Sequence, residues 1–189
     1  MSRSKGSQAD ITRTDILNSA SELFRKNGIS DVSLGTIMAE IGMTNGGFYK
    51  HFKSKEALAD EVCTLTFHRT LQSWRENIQA ADNPSNCPVR HLMIQHLSKA
   101  NEGKCPIVAL SHDAADQSHR HSFGESYRKG TKALLDLLIS AANEHCASQN
   151  RDQLLVQFAA MVGVGLLTRV FENDAWMVEV KNALLNSLE

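Results

Sequence analysis

The 189-residue sequence is poor in residues that interrupt helices or favour strands, with three prolines, two tyrosines and two tryptophans. Such a composition fits a helical chain, long enough for one large or two small domains with ample core. No apolar run approaches the roughly 18 residues of a membrane span, and the start has no signal-peptide pattern. A soluble, cytoplasmic protein with no membrane association is expected. Cys63, Cys87, Cys105 and Cys146 are widely spaced, with no Cys-x-x-Cys, so neither a zinc ribbon nor a disulfide framework is indicated and reduced thiols are expected. Lys and Arg number 20 against 21 Asp and Glu, a net charge of -1. There is therefore no chain-wide basic field, although a nucleic-acid binder needs only a local basic face. Gly-x-Ser-x-Gly, a phosphate-cradling glycine loop and His-Glu-x-x-His are all missing, which argues against an enzyme. No motif calls for a cofactor or a metal.

What the chain does contain is centred on residues 31–55, which read as two short helices joined by a tight turn. Ser33 can cap the first, and Leu34, Ile37, Met38 and Ile41 follow the spacing of one buried face. Gly42 supplies the permissive backbone for a turn. Thr44 can cap a second helix from Asn45 to about His51, held on the core by Phe48 and Phe52. Thr44, Asn45, Tyr49, Lys50 and His51 then point outward. Hydroxyls, an amide, a phenol and cations can bond phosphate oxygens. Asn45 and the bare Gly46-Gly47 edge can approach bases. Lys50, Lys53 and Lys55 crowd together with no acid before Glu56. A small helical hairpin with a solvated basic face is the plainer alternative.

The run Gly-Met-Thr-Asn-Gly-Gly-Phe-Tyr-Lys-His-Phe-Lys-Ser-Lys-Glu-Ala-Leu follows Ile16-Leu17, Ala20, Leu23-Phe24 and Gly28. Together they resemble the DNA-binding domain of the tetracycline-repressor (TetR) family, over about residues 12 to 62. That resemblance implies an all-α homodimeric repressor that leaves its double-stranded operator DNA when a small-molecule effector binds the C-terminal domain. Residues 9–69 would form the helix-turn-helix domain, with three helices before a long fourth, and 70–189 the ligand-binding and dimerisation domain. Thr44, Asn45, Gly46, Gly47 and Tyr49 would lie nearest the DNA, with Ser33, Thr36, Lys50, His51 and Lys55 on its backbone. The resemblance adds Arg13 as a phosphate contact.

About nine helices are expected. Helix 1 runs from about Asp10 to Lys26 behind a basic arm carrying Arg3 and Lys5, and ends at the C-cap glycine Gly28. A fourth helix, Lys55 to about Ala81, would span about 40 Å, long enough to connect a reading head to a sensor. Residues 82–88 form a loop, Val89–Lys99 a fifth helix, and Pro106 opens a sixth through Ala114. A seventh carries Tyr127 to Cys146. Asn150 with Gln153 resembles a capping box for an eighth, Arg151–Phe171, and Asp174 can cap a ninth, Ala175–Leu188. Phe67, Leu71, Trp74, Leu110, Tyr127 and Phe158 are candidate ligand-pocket walls, chosen for bulk and apolar placement; ordinary core packing is the alternative. Gly163, Leu166, Val170, Val180 and Leu184 are the expected subunit boundary. Two minor readings remain. His112, Asp116 and His119, with Asp113 and His121 nearby, could ligate a divalent metal if helical. Cys105, at a helix N-terminus beside Lys104, could be a reactive thiol. A helical adaptor binding only protein is disfavoured, because nothing in an adaptor calls for the Thr44–Lys55 surface.

Overall fold

The computed structural model describes residues 8–80, 87–98, 105–115, 122–146, 150–171 and 174–187. Among these the chain is all-α, with ten helices and no strand. They are α1 Gln8–Asn27, α2 Leu34–Glu40, α3 Asn45–Phe48, α4 Lys55–Gln79, α5 Pro88–Ser98, α6 Pro106–Ala109, α7 Ser111–Ala115, α8 Ser122–His145, α9 Arg151–Thr168 and α10 Ala175–Asn186. The count exceeds nine because the expected sixth helix breaks at Leu110, a buried residue where the chain turns between α6 and α7. The basic arm with Arg3 and Lys5, most of the 82–88 loop, Lys104, Asp116, His119, His121 and Leu188 lie outside the described residues. Among the described residues no helix is long and apolar enough to cross a membrane.

Internal packing divides the chain into two compact units. Met1–Thr66 with Leu110–Tyr127 form the head, and Phe67–Ala109 with Arg128–Glu189 form the second unit. The division falls three residues before the expected boundary at 69/70, and it gives 110–127 to the head. Asp113 supplies a reason. It is 2% exposed, and its Oδ1 accepts a hydrogen bond from the Ile29 backbone N–H at 3.0 Å. That N–H lies two residues past the end of α1. Asp113 thus serves the head as a backbone acceptor, and His112 is exposed.

In the head, Ile16, Ala20 and Phe24 recur every fourth residue along α1 and are fully buried. Gly28 stops the helix at φ +84°, its N–H donating to the Phe24 carbonyl at 2.9 Å. Replacing Asp113 by Ala leaves the buried Ile29 N–H without a partner, so we expect a loss of about 1–3 kcal/mol in unfolding free energy. Asp113→Asn keeps a carbonyl acceptor and should lose less. Urea denaturation of the three proteins checks this, and equal midpoints would remove Asp113 from the head's support.

In the second unit α9 packs against α5, α6 and α10. Its start is the expected capping box, with Asn150 and Gln153 each accepting from the other's backbone N–H. α8 crosses α4 where Gly130 has no side chain. A Cβ there would come within 2.2 Å of the Phe67 ring, so the ring lies directly on the α8 backbone. The expectation of four reduced thiols is not met. Cys87 and Cys146, 59 residues apart, are joined by a disulfide with a Cα–Cα distance of 5.3 Å. Nothing in their spacing signalled it, because the helices between them decide where each ends.

Candidate nucleic-acid interface

α2 and α3 form the expected helix-turn-helix. Ser33 caps α2, its Oγ accepting from the Thr36 N–H at 3.0 Å and sharing a second hydrogen bond with Thr36 Oγ1 at 2.8 Å. Ile37 and Met38 are fully buried. Gly42 turns the chain at φ +68°, and a Cβ there would touch nothing, so its role is conformational. The Met43 N–H then donates to the Met38 carbonyl at 2.8 Å, closing the turn.

α3 is shorter than expected, ending at Phe48 rather than about His51, because the chain turns over Tyr49–His51. Phe48 and Phe52 still anchor it. Both are buried, with stacked rings 5.6 Å apart, and Tyr49 meets Phe48 edge-on at 5.3 Å. Thr44 sits at the N-cap in extended backbone, yet its hydroxyl makes no capping bond. It is exposed, as are Asn45, Gly46 and Lys50, and Tyr49 is 66% exposed. The Asn45 amide lies beside Gly35 of α2, 3.6 Å from where a Cβ would be. These residues form one continuous polar face over the turn and α3.

Several expected contacts are placed differently. Gly47 does not share the open edge with Gly46. A Cβ at 47 would press Met43 Cε at 3.0 Å, so this glycine lets α3 close on Met43 and Met38. A Cβ at Gly46 meets nothing within 4 Å. Arg13 pairs with Glu61 and lies over the Phe52 ring at 4.6 Å, so its guanidinium already serves the head's own packing. Lys55 is half-buried and donates to the Ser30 carbonyl at 3.4 Å, and His51 is half-buried. Lys50 and Lys53 are exposed and open to an approaching phosphate.

The expected pocket walls fall in two groups. Phe67, Trp74 and Phe158 are buried and Leu71 is half-buried, all in the second unit. Leu110, buried, and Tyr127, half-buried, belong to the head. The residue that sequence reading missed is His96 of α5. Its Nε2 is buried without a hydrogen-bond partner, and its ring stands edge-on to Trp74 at 6.0 Å. Burial lowers its pKa to about 4. Gly165 of α9 faces it, with a Cβ position 4.0 Å from Nε2, and one turn on the buried Thr168 Oγ1 also lacks a partner. The available signal was a histidine among Leu92, Met93 and Leu97 on the apolar side of α5.

Of the expected subunit boundary, Leu166 is 52% and Val170 68% exposed, while Gly163 opens onto free space and Val180 is half-buried. Leu184 is corrected: it is 6% exposed and packs within the protomer, near the point where Gln157 Nε2 donates to the Ser187 carbonyl. Gly165 is likewise an internal contact, since a Cβ there would sit 3.4 Å from Val108 Cγ2.

Residues 16–62 match the family described as bacterial regulatory proteins, tetR family. The chain is 39% identical over 72 residues to the HTH-type transcriptional regulator UidR of Escherichia coli strain K12, covering 38% of this chain and 37% of that protein. The match therefore spans little more than a third of that relative. Over the whole fold the chain resembles a TetR transcriptional regulator from Chloroflexus aurantiacus, with TM-score 0.78, 20% identity, and 95% of this chain and 94% of that one covered. It also resembles AibR, solved in complex with isovaleryl coenzyme A and operator DNA, with TM-score 0.62, 17% identity, and 92% and 96% covered. At such identities the structures speak for the fold alone, and the match in sequence is confined to the head. With its helix-turn-helix over buried Phe48 and Phe52, the head is similar over residues 16–62 to the tetR family of bacterial regulatory proteins.

Proposed function

We propose that this protein is a sequence-specific DNA-binding transcriptional regulator, a homodimeric repressor released from its operator by a small-molecule effector held in the second unit. One observation carries the DNA-binding reading. The face made by Thr44, Asn45, Gly46, Tyr49 and Lys50 is exposed and free of acids, on a short helix held by two buried phenylalanines. Rigid support beneath and varied hydrogen-bonding groups above suit direct readout in a major groove. The dimer reading is supported by an apolar surface on α9, α10 and the residues joining them, where Leu166, Val170, Phe171, Trp176 and Val178 are all exposed. The effector reading is supported by buried polar atoms without partners, His96 Nε2 and Thr168 Oγ1, in the unit that also holds Phe67, Leu71, Trp74 and Phe158. AibR, of the same fold, was solved with an acyl-CoA and operator DNA together. A regulator of this kind works where the DNA is, in the cytoplasm.

Selection from a random duplex library tests the reading directly. It should return a partly palindromic site with half-sites about one helical turn apart or a little more. Recovery of no preferred sequence would overturn it. Lys50→Ala should weaken binding on every sequence, with a salt dependence shallower by about one phosphate contact per subunit. Unchanged affinity and slope would take Lys50 off the DNA backbone.

A further inference from the structure

The four cysteines occupy two kinds of environment. Cys63 of α4 is buried, and burial, with the Asp60 charge nearby, pushes its thiol up to about 12. Cys105, the candidate reactive thiol from sequence, is also raised by burial, against the opposing pull of the Val108 and Ile107 N–H groups and Arg169. A thiol held protonated is a poor nucleophile. Cys87 and Cys146 are partly exposed and bonded to each other, with Cα atoms at an ordinary disulfide separation of 5.3 Å. They stand at opposite helix poles. Cys87 precedes the eleven-residue α5, its carbonyl accepting from the Arg90 N–H at 3.0 Å, and the first turn of α5 holds no acid. Cys146 follows α8, its N–H donating to the Ala142 carbonyl at 2.8 Å. The positive end of α5 favours a thiolate at Cys87, and the negative end of α8 disfavours one at Cys146.

We propose that Cys87 and Cys146 are a peroxide-reactive modification site that operates as a reversible thiol–disulfide switch. The Cys87 thiolate attacks the peroxide O–O bond, giving a sulfenic acid and releasing an alcohol, or water where the oxidant is hydrogen peroxide. The Cys146 thiol then attacks that sulfur; the S–S bond forms, the S–O bond breaks, and water leaves. Two thiols lose two electrons and the peroxide gains them. A cellular thiol such as glutathione reverses the step by exchange. The inference rests on the regulator reading, since a protein bound to DNA sits among reduced thiols, where a standing structural disulfide is uncommon. One helix, α8, has residues in both units. α8 begins among residues grouped with the head, where Phe123 is buried and Ser126 donates to Asp60, and it ends beside Cys146. Closing the bond fixes the far end of that helix to the start of α5. Reduced and oxidised proteins should differ in operator affinity by about tenfold or more, within the usual range of coupling between sites.

The full chain, reduced with dithiothreitol and cleared of it, is treated with stoichiometric hydrogen peroxide. Of its four cysteines, two should remain titratable in denaturant, four minus the bonded pair, and peptide mapping should find Cys87 linked to Cys146. Glutathione at cytosolic ratios should restore all four. Oxidation landing on Cys63 or Cys105 would overturn the site, and a bond that glutathione cannot open would make it structural rather than a switch. On the selected operator, equal affinity before and after oxidation would overturn the regulatory role. Cys87→Ser and Cys146→Ser should each abolish the response. The untreated reduced protein is the reference in every case, so a poorly folding variant leaves the outcome decided. Thiol titration and mapping need no DNA, so failure to bind any operator counts against the regulator reading and not against the cysteine chemistry.

Discussion

A Gly46→Val protein should fold as well as the parent and lose affinity for the selected operator by about 30-fold or more. Nothing within the protein asks for glycine at this position. Its backbone is not among those at positive φ, which are Gly28 and Gly42 alone in the described residues, and a Cβ there has no atom within 4 Å. In the first turn of α3 glycine even lowers helix propensity by up to about 1 kcal/mol. A side chain would therefore cost the free protein nothing. The expected cost appears when the N-terminal edge of α3 approaches base edges, where a branched side chain fills the space. A misfit at one base step is worth about 1–3 kcal/mol, and a dimer meets it twice, for a total of about 2–6 kcal/mol. Electrophoretic mobility shifts beside urea denaturation separate the two effects. Parent-like affinity in a stable variant would place Gly46 away from the DNA. Gly47 is a poor substitute for this test, because a side chain there must displace the Met43 methyl, which confounds the reading.

How far the sequence foretold this molecule depends on the range of the interaction concerned. The Ser33 cap, the Gly28 and Gly42 turns, and the buried Phe48–Phe52 pair are set within a few residues, and each was legible. So was the Asn150–Gln153 box. Outward direction within α3 was only half legible. Gly46 and Gly47 are neighbours in sequence but about 100° apart around a helix, and which one faces Met43 depends on how α3 tilts over α2. The acceptor role of Asp113 joins positions 84 residues apart, and the disulfide joins positions 59 apart. No local pattern encodes such meetings; they follow from the packing of whole helices. Leu184 fails for a related reason. An apolar stripe on α10 announces burial, but it does not say whether the covering surface is the protomer or its partner.

Stability should fall steeply between pH 6.5 and pH 4, and His96 should account for much of that fall. Its imidazole pKa is lowered from 6.5 to about 4 by burial among apolar neighbours, so the folded chain keeps it neutral while the unfolded chain protonates it at ordinary pH. Above pH 6.5 both states carry neutral histidine and stability is complete. As pH drops below 6.5 the unfolded chain binds a proton that the folded chain refuses, and stability declines by up to about 1.4 kcal/mol per pH unit. The decline ends near pH 4, where the folded protein also takes up the proton, after a total of about 3 kcal/mol. Burial is the sole cause of the shift, with no carboxylate among the described residues opposing it. His96→Leu removes both the titration and the orphan nitrogen while keeping an apolar neighbour for Trp74. Urea midpoints at pH 7, 6 and 5 should therefore drop less in this variant, the difference reaching about 2 kcal/mol at pH 5. Parallel pH dependence in the two proteins would show that His96 is protonated at no unusual cost in the fold, and its buried nitrogen would then need a partner that opens only in solution.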